Sequence, residues 1–478
     1  MATKKDLVEA YSFSRRRLVT AFVSGAPGGR EVEPARPGRM IVGGVALAIL
    51  LIAGAAVAGA LTKRPTVDWD SPGLVTDDHG ALYVILDEEQ SQGQEQLRPV
   101  INVTSAQLIL GADVKTKSVP DDVLAERKKG PSIGILDAPP TVPGAGNLLN
   151  SGWVSCTATG KGVQTEVRPG RSVQETPELG FVVRGEPSGK RYLIAQAEVP
   201  GHPVRAYSYA APANPDGLYA DLKVEASDEI VVPDAWLGLF PTGGALTEAG
   251  LGFDDWGQRV PLPGYTTARV GDYYERSGQF YAVTKKGFVQ LSEFAFAVLR
   301  STPIGDDMPR PIKQVGEGGA FKVVAAPYDA SSWPEDAIAG GSARRTDTVC
   351  GVLKTGEDEE PAVLLATFPS GSAMIGDVSA GQSNVSVEAG YGAVVRSADW
   401  DTSSGGTVHL VDDGGRSYSI AGMTEVDNLG YGRVPEVVVP STWLQLFTPG
   451  PDLSLLDALC PPRTPSEDVG DSVGPACA

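Results

Sequence analysis

The sequence predicts a single N-terminal transmembrane helix followed by a mainly β (α+β) ectodomain of small repeated units. Three observations lead there. Residues 40–61 form a run of 22 residues without one charge. Gly (58) and Pro (37) make about a fifth of the 478 residues, which favours turns and short strands over long helical bundles. Short alternating apolar stretches around Gly turns recur along the chain, and one segment occurs twice, at 231–243 and 438–450.

The apolar run reads MIVGGVALAILLIAGAAVAGAL. At 1.5 Å per residue it covers roughly 33 Å as a helix, enough to cross a bilayer core. A membrane helix satisfies its own backbone, so the glycines are tolerated. A cleaved signal peptide fits poorly, because the leader is 39 residues long and the run exceeds an ordinary h-region. Residues 1–39 carry a net charge of +4 and residues 62–478 a net of −23. Arg15, Arg16, Arg17, Arg36 and Arg39 put the N-terminus in the cytoplasm and the 417 residues beyond the run outside. The acidic outer part argues against nucleic acid as a partner, which needs a basic face. With 42% hydrophobic residues the chain is no disordered acidic tail.

VVPDAWLGLFPTG (231–243) and VVPSTWLQLFTPG (438–450) align at an offset of 207 through Pro233/Pro440, Trp236/Trp443, Leu237/Leu444, Leu239/Leu446, Phe240/Phe447 and Gly243/Gly450. VPDDVL at 119–124 is a worn third copy. Trp236, Phe240, Trp443 and Phe447 are expected to pack each unit's own core; a surface for a partner or wall polymer is the alternative. The stretches 82–110, 192–209, 280–299 and 409–432 each give a strand, a turn, a strand and a short helix, with Lys286-Gly287 and Asp413-Gly414-Gly415 as turns. Thr104-Ser105 and Ser292 are the expected helix caps. Four small β-β-α-like units follow, two per half.

The domain plan is a basic cytoplasmic segment (1–39), the span (40–61), a first unit (62–143), one part of a central domain (153–188), a second unit (189–250), a third unit (264–303), the other part of the central domain (319–370), a fourth unit (385–459) and a disordered tail (460–478). Residues 138–152 and 303–318 are Pro/Gly-rich breaks. All four cysteines, Cys156, Cys350, Cys460 and Cys477, fall on the outer side, where disulfides persist. Three pairings are open. Cys156–Cys350 with Cys460–Cys477 is favoured, the first tying distant halves together and the second closing a short loop; free thiols are the alternative. No CxxC occurs and His79, His202 and His409 are scattered, so no metal site or cofactor is expected.

Catalytic machinery is not legible. A P-loop needs G-x-x-x-x-G-K-[ST], and Gly160-Lys161-Gly162 and Gly189-Lys190-Arg191 are lone pairs that turns explain. G-x-S-x-G occurs around Ser132 and Ser472, yet neither lies between a strand and a helix as a nucleophile elbow requires. The acid pairs Asp254-Asp255 and Asp306-Asp307 and the run 357–360 are expected to be solvated loop charge; a glycosidase couple and loose binding of a divalent cation are the alternatives. In the N-terminal segment Leu7, Tyr11, Leu18 and Phe22 share one helical arc with Arg15, Arg16 and Arg17 around it. Such a helix lies on anionic lipid or docks on another subunit.

SFSRRRLVTAFVSG, Glu33-Pro34 with Arg36-Pro37 before the span, LRPVINVTSAQLILG, GPSIGILDAPPTVP and the LGYG, VVVP and GP stretches in that order resemble EccB, the membrane-anchored core component of type VII (ESX) secretion systems. The resemblance runs from Lys4 to about Leu459. It implies an elongated ectodomain of four repeat units around a central β domain, with a disulfide between its halves at Cys156 and Cys350. It implies a structural core role in the inner membrane beside EccC, EccD and EccE, with the outer part in the periplasm, a mycosin protease outside and peptidoglycan contact; self-association is an expectation for a long scaffold with a disulfide-stapled centre. Some members of the family are labelled ATPases, so ATP hydrolysis within the same system is one alternative reading; a peptidoglycan-binding membrane anchor is the other. The Cys460/Cys477 pair departs from the mycobacterial pattern.

Overall fold

The computed structural model describes residues 4–24, 68–91, 93–170, 173–261, 268–312, 322–368 and 375–462. The expected span at 40–61 and the tail beyond 462 lie outside them. Among the described residues no helix is long and apolar enough to cross a membrane. The chain divides into two units, Met1–Thr66 and Val67–Ala478. In the first, helix α1 (Lys4–Ser24) is described.

The second unit carries five sheets among the described residues. The first sheet holds β1 (Gly73–Thr76), β2 (Leu82–Ile85), β3 (Leu97–Pro99) and β4 (Lys117–Ser118). β5 (Trp153–Thr157) and β6 (Val163–Val167) then begin a central sheet. The second sheet holds β7 (Phe181–Glu186), β8 (Arg191–Ala197), β9 (Arg205–Ala210) and β10 (Ile230–Pro233). The third holds β11 (Tyr273–Arg276), β12 (Gln279–Thr284), β13 (Gly287–Leu291) and β14 (Val323–Val324). β15 (Thr348–Lys354), β16 (Ala362–Phe368) and β17 (Ser383–Val387) complete the central sheet in the order β16-β15-β5-β6-β17. The fourth outer sheet holds β18 (Ala393–Ala398), β19 (Thr407–Val411), β20 (Arg416–Ile420), β21 (Val438–Pro440) and β22 (Thr448–Pro449).

Each outer sheet starts as an antiparallel three-strand meander. A helix follows each meander: Val103–Leu110, Asp216–Asp221, Glu293–Ser301 and Met423–Asn428. A later strand then returns parallel to the first, as β4 to β1, β10 to β7 and β21 to β18. In the third sheet that place is held by a parallel bridge from Tyr273 to Pro311. β4 has two residues, too few to show a pattern, whereas β10 and β21 carry the VVP of the duplicated segment, which does not itself say what it pairs with.

The domain borders shift accordingly. β7 pairs with β8 rather than with the central strands, so 181–186 belong to the second sheet and not to a central segment ending at 188. β17 pairs with β6, so the central domain extends past 370. Residues 138–152 are folded in rather than a free linker: Leu149 is buried, and its N–H donates to the Gly392 carbonyl at 2.7 Å. Ser292 caps its helix by accepting from the Ala295 N–H. The helix at 103–110 is capped instead by Asn102, because Thr104 and Ser105 already sit inside it and their hydroxyls bond Pro139 O and Ile135 N.

The cores are shared between sheets, which replaces the expectation of one core per unit. The second and third sheets enclose one core, with Leu193, Tyr209, Val283, Phe288 and Phe294 inside. The first and fourth enclose another, with Leu74, Val84, Leu108, Leu410 and Tyr418. The units therefore pair as nested partners, not as successive neighbours in each half. Both faces of the central sheet are covered. Trp153, Val349 and Leu353 alternate with Val154, Cys156, Cys350 and Val352 along β5 and β15 and enter different cores, as the two-residue strand period requires.

Candidate linkage and docking sites

The duplicated segment is built from its proline outward. β10 and β21 end in Pro233 and Pro440, where φ is −62° and −56°. Proline fixes φ and has no N–H to continue the ladder, so each strand turns at once into a one-turn helix, Asp234–Leu237 or Ser441–Leu444. Pro120 stands in the same way before Asp121–Ala125. Each tryptophan is the third residue of its helix and is 0% exposed. Phe240 and Phe447 are buried too, so none of the four offers a surface.

The two copies touch different partners. Trp236 Nε1–H donates to Ser155 O at 3.1 Å, beside Cys156 in the central strand β5. Trp443 Nε1–H donates to Leu239 O at 3.1 Å, inside the first copy. The Phe240 ring lies edge-on to Trp236, with centroids 4.9 Å apart, and Phe447 lies against Trp153 at 5.6 Å. One core thus carries the second sheet, the central sheet and the fourth sheet together. Gly243 and Gly450 close each copy against a tyrosine: a Cβ on either would lie 2.2 Å from the Tyr209 or Tyr418 ring. Their N–H groups donate to Ser208 O and Ser417 O.

On the opposite face of the central sheet Cys156 and Cys350 are direct cross-strand partners and are disulfide-bonded across 194 residues of sequence. Cys460 is disulfide-bonded as well; Cys477 lies outside the described residues.

A third linkage was not visible in the sequence. Arg205 is 0% exposed and holds two acids and a carbonyl. Its Nη2 donates to Glu360 Oε2 at 2.6 Å, and its Nη1 to Asp401 Oδ1 at 2.9 Å and Trp400 O at 3.0 Å. His202 Nδ1 stands 2.9 Å from the same Glu360 oxygen. Burial works against the Glu360 carboxylate, but hydrogen bonds from His202 and Arg205 outweigh it and hold the group below the usual range. Burying a guanidinium is costly unless it is paired. Here the pairing joins β9 to loops before β16 and after β18. The one sequence signal is an arginine opening the otherwise apolar and small-residue strand RAYSYA.

In α1, Arg15, Tyr11 and Leu18 are exposed. The side chains of Leu7, Arg16, Arg17 and Phe22 lie outside the described residues. The candidate catalytic groups stay apart. Ser132 lies in an irregular stretch between bridges at Lys129 and Ile133, not on a strand-to-helix turn. Asp254 pairs with Lys286, Asp255 with Lys285, and Asp307 with Arg310 and Arg269. Hydrogen bonds from those cations keep Asp254 and Asp307 ionised below the usual carboxylate range. Ser472 lies outside the described residues.

A protein of Mycobacterium tuberculosis H37Rv named ESX-3 secretion system ATPase EccB3 is 26% identical over 477 aligned residues, covering 90% of this chain and 84% of that one. Two solved structures share the fold. An EccB3 dimer from the ESX-3 core complex has a TM-score of 0.58 at 22% identity, covering 81% of this chain and 100% of that one. A chain of an intact ESX-5 inner membrane complex has a TM-score of 0.56 at 20% identity, covering 99% and 98%. The family model described as "Type VII secretion system ESX-1, transport TM domain B" matches residues 1–463, nearly the whole sequence, and the chain therefore belongs to the EccB family of type VII secretion.

Proposed function

We propose that the chain, as a structural core subunit of a type VII secretion complex, acts as a frame and not as a catalyst. In this reading the basic helix α1 docks on cytoplasmic or membrane-proximal parts of other subunits and on anionic lipid. Residues 40–61 cross the inner membrane once, N-terminus in the cytoplasm, and the outer part extends into the periplasm as four copies of one meander-and-helix unit around the central sheet. EccC, EccD, EccE and a mycosin protease are the proposed partners, with self-association and peptidoglycan contact outside. No cofactor is involved.

The observation that carries the reading is the continuous core in which Trp236 and Trp443 seat the second and fourth sheets on the central sheet. Groups that are fixed to each other by buried anchors transmit position, as an assembly frame must. The M. tuberculosis relative is named an ATPase, which keeps ATP hydrolysis as the second reading. The test is affinity purification of the tagged chain from membranes in mild detergent. The expected result is a megadalton-scale assembly with an FtsK-like ATPase and a multi-span subunit, and no ATP turnover by the isolated chain. A lone protein, or turnover abolished by one acid substitution, overturns the reading. Arg15, Arg16 and Arg17 changed together to Glu should detach the chain from its partners or invert its topology.

A further inference from the structure

Two groups of histidine and acid side chains bring their ligand atoms within 4.8 Å of one another: His202, Glu360 and Asp401, and Asp77, His79 and Asp121. They differ in charge balance. The first already contains a cation, since the buried Arg205 guanidinium contacts both carboxylates. In the second, among the described residues no Lys or Arg pairs directly with Asp77, Asp78, Asp121 or Asp122; the Lys129 ammonium reaches Asp77 only through the Tyr83 hydroxyl, to which it donates at 3.2 Å.

The comparison with the second sheet sharpens this. Asp121 and Asp234 each follow the proline at the start of a one-turn helix. Asp234 reaches the β7–β8 turn, where the Ser188 N–H and hydroxyl donate to it at 3.0 and 2.8 Å. Each oxygen of that carboxylate accepts one neutral donor. Asp121 reaches the corresponding β1–β2 turn, where the Asp78 N–H donates to Oδ1 at 3.2 Å. In place of the serine hydroxyl, His79 Nδ1 stands 2.9 Å from Asp121 Oδ2. A second carboxylate, Asp77, is added. It accepts the N–H groups of His79 and Ala81 on Oδ1 and the Tyr83 hydroxyl on Oδ2.

We propose that Asp77, His79 and Asp121 form a site for a borderline divalent cation of the zinc class. One imidazole nitrogen and two carboxylate oxygens suit such an ion, with solvent completing its shell because His79 is exposed. The ion clamps the β1–β2 turn to the start of helix Asp121–Ala125. It thereby replaces the neutral latch that Ser188 and Asp234 make in the second sheet. This site is independent of the frame reading above.

The test is equilibrium dialysis of the metal-stripped full chain in detergent against zinc chloride, with metal counted by mass spectrometry. The expected result is one zinc per chain that His79→Ala weakens at least tenfold, the scale on which site substitutions act. His202→Ala should leave it unchanged. Position 79 is exposed, so its alanine variant folds; Asp121→Asn is the second variant and should weaken binding alike. No saturable zinc in the wild type, equal uptake by His79→Ala, or loss with His202→Ala instead overturns the proposal.

Discussion

The two copies of the duplicated segment have the same backbone and opposite positions in the hierarchy of the core. Copy one, at 231–243, is bound to the central sheet through Trp236 and Ser155. Copy two, at 438–450, is bound to copy one through Trp443 and Leu239. Like residues therefore do unlike work: Trp236 anchors and Trp443 rests on the anchor. The largest effect should follow from breaking the anchor. Trp236→Ala opens a cavity between three sheets and should cost about 3–5 kcal/mol, read as a lower denaturant midpoint by far-UV circular dichroism. Trp443→Ala should cost no more than that. The double variant should cost less than the sum, because neighbours in one core couple. Additive costs would separate the two copies.

The disulfide tests the other face of the same sheet. Cys156→Ala with Cys350→Ala removes a crosslink over 194 residues of sequence, and loss of such a constraint typically costs about 2–5 kcal/mol. The bond and Trp236 enter different cores. Their losses should therefore add more nearly than those of the two tryptophans, as measured by denaturant unfolding of the single and combined variants.

Gly243→Ala and Gly450→Ala ask whether the local geometry is truly repeated. In each copy the new methyl would meet a buried tyrosine ring at 2.2 Å. Overpacking of this kind costs about 1–3 kcal/mol. The expected outcome is equal losses in thermal unfolding; a tolerated alanine in one copy would show that its tyrosine can move aside.

What the sequence disclosed follows from range. The hairpins at 280–299 and 409–432 were legible because alternation and Gly-containing turns are local. The copies were legible because Pro, Trp, Phe and Gly are each demanded by a fixed contact. The strands β4, β14 and β22 were not, being two residues each and made by pairing alone. The nested pairing of sheets was hidden because nothing local says which apolar face meets which. The Arg205 knot was hidden for the same reason: Glu360 and Asp401 lie 155 and 196 residues away. Asn102 was missed as a cap because Thr104 and Ser105 offered nearer, equally plausible hydroxyls.

Acid should loosen that knot before it touches the tryptophan core. Glu360 has an ordinary value of 4.5 and is held below it in the folded chain. The unfolded chain therefore binds this proton first as pH falls, so the knot's contribution is complete above the ordinary value and lost on going down through the folded one. Wild type should lose stability across that window, and Glu360→Gln should flatten the slope while lowering stability at neutral pH. Equal slopes in both would remove Glu360 as the titrating group.

The smallest effect isolates the hydrogen bonds that distinguish the copies. Trp236→Phe and Trp443→Phe keep an aromatic ring and delete the indole N–H. Each leaves a buried carbonyl, Ser155 or Leu239, without that donor, at a cost of about 1 kcal/mol beyond the change in ring size. The location of the loss should differ. Trp443→Phe should speed amide exchange in β18–β20 and leave β5 and β15 protected, because the lost bond is to copy one and Phe447 still packs on Trp153 of β5. Trp236→Phe should speed exchange in β5 and also in the fourth sheet, because everything seated on the anchor shares its loosening. Exchange confined to each variant's own sheet would mean that two parallel anchors, not a chain of two, hold the outer sheets to the centre.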